Sequence, residues 1–231
     1  MCIPGIFSTE GLGGNIFSPE HNFPEVSGFD EYSELSNQDV DTLIHTLIPE
    51  GHLDNCGNII CNPNDPHWIE TPGSVGYHVE YADGRPCEIC LAGAEALEGA
   101  SSSELEVLCH EIGHNAYNNL SLAAQLQWAD LHTESIELYE QTGLGFVSSY
   151  AHTNLFEDFA ETYAIYMTNP DLLQFVSPEK YEFMQEQVFG GVEYGQISDE
   201  NGDLLLVTKD TADSYNNQSE NQNPIDLAPT V

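Results

Sequence analysis

The segment SSSELEVLCHEIGHNAY, residues 101–117, constrains this chain more than any other. Ser103 followed by Glu106 is a capping box, in which a serine hydroxyl and a glutamate carboxylate answer each other across a first helical turn. Leu105, Leu108, Cys109 and Ile112 then recur at helical spacing and make an apolar stripe. A capped amphipathic helix is therefore expected, with its stripe in the core. Beside the stripe stands HEIGH, with His110 and His114 four apart on one face and Glu111 one step after the first. Two imidazoles at that spacing can hold a zinc ion, with the glutamate placed as general base. Five residues can also spell this pattern by chance, so the rest of the chain has to decide.

A catalytic zinc takes a third protein ligand and leaves a position for water. The compact HExxHxxGxxH solution fails, because Tyr117 stands where glycine is required and Leu120 where the third histidine is required. Farther on, EDFAE places Glu157 and Glu161 four apart, on a helix whose other face carries Phe156, Phe159, Ala160, Tyr163 and Ala164. Two helices that each set an i, i+4 polar pair beside an apolar stripe can pack with the pairs opposed. One glutamate then ligates the metal and the other orients a ligating histidine. An amphipathic helix with a solvated acidic face has the same pattern, and an acidic chain makes that reading serious.

HEIGH followed after a long helical stretch by YAHTNLFEDFAETYA resembles the anthrax lethal factor-like peptidases, gluzincins that include the clostridial Pro-Pro endopeptidases. That family has a tyrosine seven residues before the ligating glutamate, which opens an ExFAE motif, and Tyr150 precedes Glu157 by seven. The resemblance covers roughly residues 75–190. It implies an α+β, zincin-like fold, with a small sheet before the motif helix and mostly helices after it. It also implies one catalytic zinc on His110, His114 and Glu157, Glu161 behind a ligating histidine, Glu111 as general base and Tyr150 as donor to the oxyanion. The expected activity is endopeptidase hydrolysis of a protein or peptide, with an extended substrate along the sheet edge formed near residues 75–92. A catalytically inactive binding module on the same fold is the alternative, and retention of both Glu111 and Tyr150 argues against it. His78 and His152 are candidates for the substrate groove. His21, His45, His52, His67 and His132 read as surface or satisfied core residues.

The charge balance narrows the partners. There are 39 acidic residues against Arg85, Lys180 and Lys209, a formal −36. Such a field repels nucleic acid and anionic membrane, and no apolar run approaches the ~20 residues of a membrane span. The surplus suits solvation in a salty or extracellular setting, or steering of cationic substrates. A secreted monomer is expected, although MCIPGIFSTE has neither the basic start nor the apolar stretch of a signal peptide.

Cys56, Cys61, Cys87 and Cys90 lie in loop-like sequence, and three states are open to them: disulfides, a structural zinc on four thiolates, and free thiols. Cys109 belongs to the core stripe, and Cys2 suggests a lipoprotein remnant. The loop DNCGNIICNPNDP, residues 54–66, offers oxygen ligands for calcium, although such residues also serve turns. Along the chain the expected order starts with an irregular segment 1–30 and a metallopeptidase domain 31–195. A short hairpin 196–209 and a disordered tail 210–231 follow. Inside the domain a helix is expected at 35–50, two strands around the turn at 82–85, and a helix over 122–141 packed through Leu126, Ala129, Ile136 and Leu138. A further helix begins near Asn154, and another starts at Ser177-Pro178.

Overall fold

The computed structural model describes residues 23–198 and 204–222. It is a mixed α+β structure, with a small sheet first and helices after it. Four strands, β1 (Glu25–Ser27), β2 (Cys56–Cys61), β3 (Gly76–Val79) and β4 (Cys87–Leu91), pair in the order β1-β2-β4-β3. The β1/β2 and β2/β4 pairs are parallel, and β3 runs antiparallel to β4 with Gly76 opposite Leu91 and Val79 opposite Glu88. That hairpin is the one expected around residues 82–85, and it leaves β3 at the edge of the sheet. Between the strands lie α1 (Phe29–Tyr32), α2 (Asn37–Thr46) and α3 (His67–Glu70). Helix α2 begins with its own capping box, Ser36 with Asp39, and buries Val40, Leu43 and Ile44.

Helix α4 (Glu104–Asn119) starts at the expected box: Ser103 Oγ accepts from the Glu106 amide at 3.2 Å, and Glu106 Oε2 accepts from the Ser103 amide at 2.7 Å. Leu108, Cys109 and Ile112 are fully buried. Helix α6 (Leu155–Thr168) packs across α4, and Gly113 of HEIGH permits it. A Cβ at Gly113 would lie 3.0 Å from Ala160 Cα and 3.1 Å from Tyr163 Cβ. The motif glycine thus brings the EDFAE helix against the HEIGH helix, and the two polar pairs face each other.

Several expectations change here. Segment 54–66 is not one loop, since Cys56–Cys61 form β2 with Ile59 in the core. Its Asn62 and Asp65 side chains accept from the amides of Asn64 and His67, so they serve turns. The two cysteines of each close pair lie along one extended strand. At about 3.3 Å per residue, Cys56 and Cys61 are roughly 16 Å apart and Cys87 and Cys90 roughly 10 Å, too far to bond. The thiols of Cys56, Cys61, Cys87, Cys90 and Cys109 are free and buried. Cys56 instead faces Cys87 across the sheet. Cys2 and His21 lie outside the described residues.

Helix α5 (Leu122–Thr142) has the expected extent but buries a different face. Leu126, Ile136 and Leu138 are exposed, and the helix is held by Trp128, which is fully buried. The Trp128 ring packs against Phe159 and Phe183, and its Nε1 donates to the Leu155 carbonyl at 3.2 Å. Helices α7 (Pro170–Val176) and α8 (Pro178–Phe183) follow, α8 continuing into a wider turn over Met184–Val188. Strands β5 (Tyr194–Ser198) and β6 (Leu204–Thr208) form the C-terminal hairpin, whose turn lies outside the described residues. The expected disordered tail carries α9 (Lys209–Gln222) instead. Ala212 anchors this polar helix on Ile197, Leu205 and Val207. The N-terminal irregular segment likewise yields β1 at its described end.

Candidate metal centre

One face of α4 and one face of α6 converge on a cavity of about 330 Å³. His110, Glu111 and His114 enter it from α4, Glu157 from α6, and Tyr150 from the segment between α5 and α6. Gly76, Tyr77 and His78 of edge strand β3 form the opposite wall.

The ligand atoms are close together. His110 Nε2 lies 3.1 Å from His114 Nε2 and 3.1 Å from Glu157 Oε2, and His114 Nε2 lies 3.4 Å from the same oxygen. A tetrahedral zinc with bonds of about 2.0–2.1 Å sets its ligands about 3.3 Å apart. The far nitrogen of His110, Nδ1, donates to Glu161 Oε1 at 2.8 Å, because a carboxylate only accepts. In the neutral ring Nε2 then carries a lone pair and faces the other two ligand atoms. Glu157 Oε2 is buried and takes part in no well-formed hydrogen bond, its contacts to the two imidazoles notwithstanding. Burial disfavours the charged His110 ring, but contacts with Glu157 and Glu161 outweigh it and raise its pKa to about 10; a divalent cation would replace that proton among the same three atoms. Among the described residues this is the one group of His, Cys, Asp and Glu close enough to hold a metal. The described cysteines form no such group.

The surrounding charges follow from burial and neighbours. Burial raises the Glu111 carboxyl above its ordinary range, opposed by His110 and His114, which suits a group that must take and return a proton. Burial also pushes on Glu157, but contact with His110 and His114 outweighs it and holds that carboxyl at about 2. Glu161 is held low in the same way by His110 and Ser148. The Tyr150 hydroxyl is pushed up to about 12, by burial first and then by the charges of Glu157 and Glu111, so it stays a donor at neutral pH. Its ring centroid is 5.9 Å from that of His110.

Of the two groove candidates, the structure brings in one. His78 lines the cavity, stacks on His114 at 6.3 Å between centroids, and donates through Nε2 to Asn115 Oδ1 at 3.2 Å. His152 packs on Tyr139 and Phe146 and does not line the cavity.

Three supports of the site are residues that its motifs do not specify. Asn115, next to His114, also donates to the His52 and Asp54 carbonyls at 2.7 and 3.1 Å. Ser148 donates to Glu161 Oε2 at 2.5 Å. Asp158, between the two glutamates of α6, points the other way into a buried ion pair with Lys180 at 2.7 Å. A lysine just after the Ser177-Pro178 helix start was the available signal, being one of three basic residues in the chain. No membrane-length apolar helix is present among the described residues. No family model, curated protein or solved structure matches this chain.

Proposed function

We propose that this protein is a zinc metalloendopeptidase of the zincin type, similar to the lethal factor-like gluzincins. The observation that carries the reading is the triangle of His110 Nε2, His114 Nε2 and Glu157 Oε2, with edges of 3.1, 3.1 and 3.4 Å, beside an unligated buried Glu111. A metal group with a structural role alone needs no buried carboxylate at its side and no cavity against an edge strand. Zinc on these three residues supplies Lewis acidity toward a carbonyl and toward water. Glu111 accepts the proton of the attacking water and delivers it to the leaving amide nitrogen. The Tyr150 hydroxyl donates to the oxygen that gains charge as the carbonyl is attacked. Glu161 keeps His110 in the tautomer that turns Nε2 toward the site. The substrate is an extended peptide beside β3, with Gly76 to His78 along it. An extracellular setting belongs to the proposal on the strength of the acidic surface, since the described cysteines are free and lend it no support.

Elemental analysis together with turnover of an unbiased peptide library tests the assignment. Glu157→Ala loses zinc and activity. Glu111→Gln keeps one zinc per chain and loses turnover, because a general base contributes without ligating. Full zinc content in Glu157→Ala moves the ligand elsewhere. No cleavage of any library peptide by the zinc-loaded wild type leaves a binding module.

A further inference from the structure

The segment joining α5 to α6 carries Tyr150, and it is tied down at both ends. At its start Lys180 Nζ donates to the Gly145 carbonyl at 2.9 Å, and Phe146 is buried. Nearer Tyr150 the tie is Ser148. Its hydroxyl donates to Glu161 Oε2 at 2.5 Å and accepts from the Ala151 amide at 3.0 Å. The Tyr150 carbonyl in turn accepts from the Thr153 amide at 2.9 Å. Tyr150 therefore sits inside a turn whose two sides are joined by one hydroxyl.

The other oxygen of the same carboxylate, Glu161 Oε1, accepts from His110 Nδ1 at 2.8 Å. Glu161 divides its two oxygens between a metal-ligand candidate and the turn that carries the oxyanion donor. A displacement of His110 is transmitted through Glu161 to Ser148, and through Ser148 to Tyr150.

We infer that Ser148 is a positioning residue that couples orientation of the metal-binding His110 to placement of Tyr150. This rests on the zinc peptidase reading for its kinetic consequence, and on the metal-binding triangle alone for its effect on affinity. Groups that orient a ligating histidine typically change metal affinity by about 10- to 100-fold. Ser148 lies one hydrogen bond farther out, so the lower end of that range applies. Coupling free energy is reciprocal: if the turn stabilises the ligand geometry, metal binding stabilises the turn.

The test compares Ser148→Val with Ser148→Thr, which differ in shape very little and in the hydroxyl entirely. Zinc affinity is measured by competition with a chromophoric chelator. Ser148→Val is expected to weaken zinc binding roughly tenfold, and Ser148→Thr to recover most of that loss. Unchanged zinc affinity in Ser148→Val overturns the coupling, and so does an equal loss in both variants, which marks a packing defect. On a cleaved library peptide, kcat is then compared for Ser148→Val, Tyr150→Phe and the double variant. The expected kcat loss from Ser148→Val largely disappears in the Tyr150→Phe background, whereas its zinc defect persists there. Fully additive losses in kcat overturn the link to Tyr150. If the wild type cleaves nothing, the peptidase reading fails, and the affinity comparison still decides the coupling of Ser148 to His110.

Discussion

Gly76 lies so close to Glu111 that a Cβ there would stand 2.5 Å from Glu111 Oε1 and 2.8 Å from Val107 Cγ1. Edge strand β3 is thus seated directly on the face of α4 that carries the candidate base, with no room for a side chain. Helix α4 and strand β3 are set at one distance by the lack of one carbon.

Gly76→Ala is therefore expected to push β3 off α4 or to turn the Glu111 carboxylate aside. Overpacking of this kind costs about 1–3 kcal/mol. Glu111 is not one of the metal-binding group, so zinc content is expected to stay near one per chain while turnover falls. Wild-type kcat together with an unchanged melting temperature would show that β3 is free to slide.

Tyr150→Phe separates enzyme from binding module. The ring is half exposed and Tyr150 is not one of the metal-binding group, so folding and zinc content are expected to hold. Loss of one oxyanion donor lowers turnover by about 10²–10³-fold, with a modest change in KM. Steady-state kinetics decides. A variant as fast as wild type excludes Tyr150 from the oxyanion site.

His52 makes stability pH-dependent. Its Nε2 must donate to the Val188 carbonyl at 2.9 Å, so in the neutral ring Nδ1 accepts from the Tyr163 hydroxyl at 2.9 Å. Burial lowers its pKa to about 4, against the hydrogen bond to Val188 that favours the cation. The folded value lies below the unfolded one of about 6.5, so the unfolded chain binds more protons between them. The contribution is fully present above pH ~6.5 and declines as pH falls toward ~4, by about 3 kcal/mol in all. Denaturant titrations across this window are expected to show a shallower pH slope for His52→Gln than for wild type. Equal slopes would mean that His52 charges inside the fold without cost.

A net −36 on one small domain repels itself. The Debye length shrinks from about 30 Å at 0.01 M salt to about 10 Å at 0.1 M, so the melting temperature of the zinc-loaded protein is expected to rise over that interval. A flat or falling curve would show that bound cations already neutralise the surface.

What was legible in the sequence was mostly local. The capping box at Ser103, the stripe Leu108, Cys109 and Ile112, the histidine pair four apart and the glutamate pair four apart are all relations within one or two helical turns. Such neighbours meet in any helix, whatever it packs against. The opposition of α4 and α6 was expected from matching the two polar pairs, whereas the role of Gly113 as the small residue at the crossing is visible only in the folded chain. Relations between distant segments were not legible. The buried face of α5 depends on what surrounds it: Leu126 and Leu138 have helical spacing but no neighbour to cover them, while Trp128 fits between Phe159 and Phe183. Cys56 meets Cys87 because strand pairing aligns them, and extension of each strand separates the pairs that look close in the chain. His152 turns to Tyr139 and Phe146, two residues past Tyr150 and off the cleft. Ser148 reaches Glu161, and Asp158 reaches Lys180, at separations of 13 and 22 positions along the chain. Periodicity records which side chains share a face, but what that face meets is decided by closure of the chain over long range, where side-chain volume and hydrogen-bond geometry choose the partner.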